Sequence, residues 1–127
     1  MSEQQIEEQR GKKRHVVARA IDLPRGARLI VELDGRSVGV FNVKGQFFAL
    51  HNRCPHNGGA LCRGPLTGTA LPTSDFTYAY GREGCILRCG WHGWEFDIET
   101  GQALADPRIR ARTYQVTVEN GDIVIHI

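Results

Sequence analysis

No apolar stretch in this sequence approaches the roughly 18 consecutive residues that a membrane-spanning helix requires. Met1 to Arg14 hold one apolar side chain besides Met1, Ile6, so they lack the apolar core of a secretory leader and read as a polar tail. An excess of one charge is missing too. Sixteen Lys and Arg against fourteen Asp and Glu leave a formal +2, which gives nucleic acid or an anionic membrane no electrostatic footprint. Internal repeats and low-complexity tracts are absent. Without a leader the expected compartment is the cytoplasm, where thiols stay reduced. Four cysteines there point to metal or redox chemistry before a disulfide framework. The 127 residues, 41% hydrophobic and 24% charged, suit one soluble domain.

Glycine, by contrast, is plentiful. Fifteen glycines and five prolines imply many turns and short strands. Strands are predicted over His15–Ala20, Arg28–Leu33, Ser37–Val43, Gln46–Leu50, Trp94–Ile98, Thr113–Glu119 and Ile123–Ile127. The dipeptides Asp34-Gly35, Lys44-Gly45 and Asn120-Gly121 fall between consecutive strands, where tight hairpin turns belong. Asp22 to Gly26 and Glu99 to Gly101 are read as further turns. This spacing predicts an all-β sandwich or barrel.

The middle of the chain, His51 to Gly93, does not follow strand logic. It is dense in Gly and Pro and holds all four cysteines together with His56 and His92. A long irregular excursion inside a compact domain is usually functional. Two motifs bracket it, Cys54-Pro55-His56 and Cys89-Gly90-Trp91-His92. Two Cys and two His suffice for a tetrahedral zinc or a mixed-ligand iron–sulfur cluster. Zinc knuckles tend to pair Cys with Cys and His with His, whereas each loop here supplies one of each. That order suits a [2Fe–2S] cluster, with both thiolates on one iron and both imidazoles on the other. Gly58, Gly59 and Gly93 would let backbone N–H groups approach the sulfides.

The stretches CPHNGGALC and CGWHGWEFDIETG resemble the two cluster-binding loops of Rieske proteins, whose pattern is C-x-H…C-x2-H. The likeness is closest to soluble Rieske-type ferredoxins, including the ferredoxin components of ring-hydroxylating dioxygenases. It implies an antiparallel β-sandwich carrying two cluster-binding loops. It also implies one [2Fe–2S] cluster per chain, with Cys54 and Cys89 on one iron and His56 and His92 on the outer one. Residues 1–14 are then a tail and 15–127 the Rieske domain.

Two departures stand out. Between His56 and Cys89 lie 32 residues, about twice the usual ferredoxin spacer, so 63–84 reads as an insertion, a surface loop or hairpin containing a strand-like Phe76–Tyr80. High-potential Rieske proteins carry a cross-loop disulfide and a Ser and Tyr that donate to cluster sulfurs. At the matching positions this chain has Gly59, Trp91, Trp94 and Phe96. Fewer donors make reduction harder, so the expected potential is low, on the order of −150 mV.

The resemblance thus implies a one-electron carrier, not itself an enzyme, between a ferredoxin reductase and a terminal oxygenase, with no small-molecule substrate. The alternatives are a Rieske-type small subunit of a larger oxidoreductase and a structural zinc domain. Cys62 and Cys85 flank the insertion and are expected to be reduced thiols, with a disulfide as the alternative. His15, His51 and His126 are not expected to bind metal. Trp94 is expected in the core, and Asp97 to fix a turn. Arg53, Arg63, Arg82 and Arg88 form a mild positive excess beside the loops.

Overall fold

Three pairs of left-handed residues shape the chain: Asp34 and Gly35 (φ 51° and 78°), Lys44 and Gly45 (53° and 95°), and Asn120 and Gly121 (52° and 80°). Positive φ at both central positions matches the twist of the flanking strands, so each dipeptide closes a hairpin as its sequence predicts. The computed structural model describes residues 12–55, 58–72, 78–89 and 94–127, and their side chains except in 68–72 and 78–84. The strands are β1 (Arg14–Arg19), β2 (Arg28–Leu33), β3 (Arg36–Val43), β4 (Gln46–His51), β5 (Leu66–Pro72), β6 (Tyr78–Arg88), β7 (Glu95–Asp97), β8 (Thr113–Glu119) and β9 (Asp122–His126). Short 3₁₀ turns stand at Ala20–Asp22 and Leu61–Arg63. Among the described residues no helix is long and apolar enough to cross a membrane.

The strands form two antiparallel sheets, one ordered β1-β9-β8-β4-β3-β2 and one ordered β5-β6-β7. The six-stranded sheet is held at its middle by a narrow seam, where Ala49 and Leu50 of β4 pair with Tyr114 and Thr113 of β8. It curls strongly. Ile123 and Ile125 of β9 share an apolar cluster with Val38 and Val40 of β3, although two strands lie between them in the order, and side chains of both edge strands pack against it. The molecule is therefore all-β and close to a closed barrel, with the smaller sheet laid on one side.

β3 serves both cores. Val38 and Val40 face the inside of the curl, while Phe41 and Val43 face the second cluster, under the smaller sheet with Leu87 and Phe96. A strand buried on both faces reads as a nearly continuous apolar run, as Val38 to Val43 does with Asn42 its one interruption. Asn42 is the one buried polar residue among the described ones. Its amide donates to the Leu23 carbonyl at 2.8 Å and its Oδ1 accepts from the Gly45 N–H at 2.9 Å, which ties the β3–β4 turn to the preceding loop.

The structure corrects the reading of the middle segment. Residues 66–72 and 78–88 are not irregular but form β5 and β6. Pairing slips at the base of this hairpin: Thr67 faces Ile86, yet Thr69 faces Gly81, so Arg82 to Cys85 bulge opposite Gly68. The bulge and the glycines erase the two-residue alternation by which strands are recognised. Pro72 is tolerated because β5 is an edge strand. Phe76 and Thr77, two of the five residues of the strand-like segment, lie outside the described residues.

Candidate metal centre

The first loop leaves β4 at His51 and is stapled at once. Asn52 donates its backbone N–H to the Ser37 carbonyl at 2.9 Å and its amide to the Ser37 hydroxyl at 3.1 Å. Its Oδ1 accepts from the Cys62 N–H at 2.7 Å. One side chain thus fixes both ends of the loop. Between them the Cys54 N–H donates to the Gly59 carbonyl and the Gly58 N–H to the Cys54 carbonyl, each at 2.7 Å. Gly58 sits at φ 76°, a conformation that side chains other than Gly and Asn rarely take.

The second loop repeats this closure. The Cys89 N–H donates to the Trp94 carbonyl at 2.8 Å, five positions on, the same offset that separates Cys54 from Gly59. Both cysteine side chains are buried, Cys54 at 0% and Cys89 at 2% exposure, within one apolar cluster that also holds Leu61, Leu87 and Phe96. Trp94 packs on that cluster from a partly buried position, its ring 6.5 Å from that of Phe96, much as the sequence suggests.

Gly64 joins the loops. A Cβ there would lie 1.8 Å from the Arg88 carbonyl oxygen, so only glycine lets the Leu61–Arg63 turn pack against the residue before Cys89. The Arg88 N–H donates to the Pro65 carbonyl at 3.0 Å. From β2, Arg28 reaches across the Phe41 ring, 5.2 Å from its centroid, and donates to the carbonyls of Cys62 (2.8 Å) and Gly64. Neither Arg28, Asn52 nor Gly64 is identifiable from the sequence, because each acts on residues at least ten positions away.

Cys62 lies directly under Gly39, where a Cβ would come within 2.5 Å of its sulfur. The thiol is fully buried and points at the Leu50 carbonyl, 3.6 Å away. Burial pushes its pKa up to about 12, against a smaller opposing effect of a hydrogen bond from Gly39 and the charge of Arg28. The four cysteines are not linked by disulfides in this structure. His51 shares a hydrogen bond of 3.2 Å with the Tyr114 hydroxyl. Its pKa is held below the ordinary value, first by burial and then by the charges of Arg112, Arg36 and Arg53. Asp97 fixes its turn as expected, its carboxylate accepting from the Glu99 N–H at 2.9 Å. Of the four expected ligands, Cys54 and Cys89 both belong to the same buried cluster, while His56 and His92 lie outside the described residues, as does Trp91.

Two buried thiols on matched loops, with no disulfide between them, fit the thiolate side of an iron–sulfur cluster. A family model described as the Rieske [2Fe-2S] domain matches residues 13–119. The chain belongs to the Rieske family. A "Rieske domain-containing protein" of Homo sapiens is 32% identical to it over 124 residues, covering 86% of this chain and 71% of that one. The "3-phenylpropionate/cinnamic acid dioxygenase ferredoxin subunit" of Escherichia coli (strain K12) is 31% identical over 107 residues, covering 84% of this chain and 86% of that one. Among solved structures, the "Sphingomonas yanoikuyae B1 ferredoxin" superposes with a TM-score of 0.68 at 29% identity, over 91% of this chain and 99% of that one. As a Rieske domain, the chain takes one [2Fe–2S] cluster as its cofactor.

Proposed function

We propose that this Rieske chain is a low-potential one-electron carrier that takes electrons from a reductase and delivers them to a terminal oxygenase, without being an enzyme itself. Cys54 and Cys89 would hold one iron, and His56 and His92 the outer one. The observation that carries the reading is the pair of matched loops, each closed from its cysteine N–H to the carbonyl five residues on, with both thiols in one buried cluster. When bound, the cluster accepts and releases a single electron. Asn52, Gly64 and Arg28 brace the described parts of the loops from outside, a support that suits a carrier whose charge changes while its frame stays in place. The likeness to the Escherichia coli dioxygenase ferredoxin subunit supports the same place in a redox chain.

Phe96, fully buried, stands where high-potential relatives place a hydroxyl donor, which supports a potential on the order of −150 mV. Residues 63–84 are read as a surface insertion built around the β5–β6 hairpin, and 15–127 as the domain proper.

The deciding experiment is the EPR spectrum of the dithionite-reduced protein, with iron and sulfide assays on the same sample. A rhombic signal with the low average g of a histidine-ligated cluster and two irons per chain is expected. A colourless protein containing one zinc would overturn the reading, and a midpoint above zero by voltammetry would overturn its low-potential part.

A further inference from the structure

Four cationic side chains that are scattered in sequence gather on one face beside the first loop. Arg36 opens β3, Arg53 precedes Cys54, and Arg112 precedes β8; all three are exposed. Their common neighbour is His51, whose charged form all three oppose. The Arg112 guanidinium lies 5.3 Å from the Tyr114 ring centroid, and its carbonyl accepts the His51 N–H at 2.8 Å. Arg36 and Arg112 also line a surface cavity of about 340 Å³ together with Lys12, Lys13 and Tyr114. Among the described residues, Asp34 is the one carboxylate side chain on that cavity, which Ile127 also lines, and Lys13 (3.9 Å) and the His15 ring (3.5 Å) lie against its carboxylate. Among the described residues no carboxylate comes within ion-pair distance of Arg36, Arg53, Arg112 or Lys12.

Unneutralised guanidinium groups at this density raise the local potential well above what a net charge of +2 implies. Their position gives the charge a use. Ser37, next to Arg36, is bonded to Asn52, and Arg53 adjoins Cys54, so the face runs without a break into the first loop. Guanidinium forks match carboxylates bidentately. We propose that Arg36, Arg53 and Arg112, with Lys12, form a docking face for a carboxylate-rich surface of the protein redox partner, one that guides the partner to the first cluster-binding loop. The proposal rests on the carrier reading and adds to it the chemistry of the partner.

The test uses the cluster-loaded protein. Reduced protein is mixed in stopped flow with ferricyanide, a trianion, or with tris(phenanthroline)cobalt(III), a trication. In each case one electron leaves the protein and reduces the metal of the reagent by one. Arg36→Glu plus Arg112→Glu is compared with Arg25→Glu plus Lys44→Glu. The second pair makes the same change in net charge at the other end of β3, about 25 Å away for eight residues.

At about 20 mM ionic strength, the Coulomb energy screened over roughly 15 Å gives a tenfold slower ferricyanide reaction for the first pair. At the greater distance of the second pair it gives only about twofold. With the cobalt reagent both effects reverse in sign. Arg36→Gln plus Arg112→Gln, which removes the charges without reversing them, is expected to give about a threefold loss. Poly-L-glutamate is expected to slow ferricyanide oxidation of the native protein and not of the Arg36→Glu, Arg112→Glu variant. Equal changes from the two ends of β3, or no effect of poly-L-glutamate, would overturn the docking face. Stronger protection by duplex DNA than by poly-L-glutamate would overturn the protein partner. EPR of each sample keeps the outcomes apart, since failure of the carrier reading shows as a missing cluster signal in the native protein.

Discussion

Gly64→Ala tests whether the two loops are held by close approach of their backbones. Gly64 lies at φ −73° and ψ 164°, extended backbone that any residue adopts. On conformational grounds alone the substitution would stabilise the protein by about 0.4–1 kcal/mol, because alanine restricts the unfolded chain. Sterics reverse the sign. The new Cβ would stand 1.8 Å from the Arg88 oxygen, 2.9 Å from its carbon and 3.2 Å from the Leu61 oxygen, all main-chain atoms that no rotamer change can move. Relief needs the Leu61–Arg63 turn and the end of β6 to part by more than 1 Å. That strains the packing, at about 1–3 kcal/mol, and weakens the bond from Arg88 to Pro65, worth about 1 kcal/mol. The net expectation is a loss of about 2–3 kcal/mol. At this chain length that corresponds to a fall in Tm on the order of 10 °C. Scanning calorimetry of the cluster-loaded protein reads it directly. Iron per chain is expected to fall as well, since Cys89 follows the displaced residue. Gly35→Ala is the comparison, because Gly35 sits at φ 78° with nothing within 4 Å of a Cβ. It pays only the left-handed strain, about 1–2 kcal/mol. A Gly64→Ala protein as stable as the native one, or more so, refutes the argument.

Three further outcomes follow from groups described above. With its pKa at about 12, Cys62 carries on the order of a thousandth of the thiolate of an ordinary cysteine near pH 8. Iodoacetamide is therefore expected to label Cys62 only on unfolding; peptide mapping that finds it modified in the native protein would contradict its burial. His51 has a lower pKa folded than unfolded, so the unfolded chain binds more protons in that window, and its contribution to stability rises as pH climbs towards and through its ordinary value of 6.5. Urea midpoints taken across that range are expected to show a shallower slope in His51→Gln, and an identical slope would remove His51 as the cause. Asn42→Ala leaves the buried Leu23 carbonyl and the Gly45 N–H without their side-chain partners. The expected cost is about 1–3 kcal/mol, read as a lower urea midpoint at unchanged m-value.

What the sequence disclosed was local. Asp-Gly, Lys-Gly and Asn-Gly set their turns through backbone conformation alone, so three hairpins were readable from adjacent residues. The cysteine loops were readable for the same reason, because each motif spans only a few positions. β5 and β6 were not, since the slip between Thr67 and Thr69 destroys the alternation on which such reading depends. The frame around the loops was equally hidden. Arg28, Asn52 and Gly64 contact partners brought to them by the fold, and nothing in their immediate neighbours marks them. The cationic face is legible in the sequence only in part: Arg53 adjoins a loop, whereas Arg36 and Arg112 join it only once β3 and β8 flank β4.

The pairing of β1 with β9 also has a bearing on how the chain is made. Arg14 to Arg19 have as their sheet partner residues Asp122 to His126, more than a hundred positions later. A ribosome releases β1 many seconds before β9 exists, and through that interval the strand's N–H and C=O groups are open to other chains. β9 is the inner strand between β1 and β8, so its arrival joins both at one time. Closure of the large sheet is thus a late and nearly single event, and non-local pairings of this kind fold slowly. Rapid synthesis would favour aggregation over closure, and slower translation or a lower growth temperature would return the advantage to the native pairing.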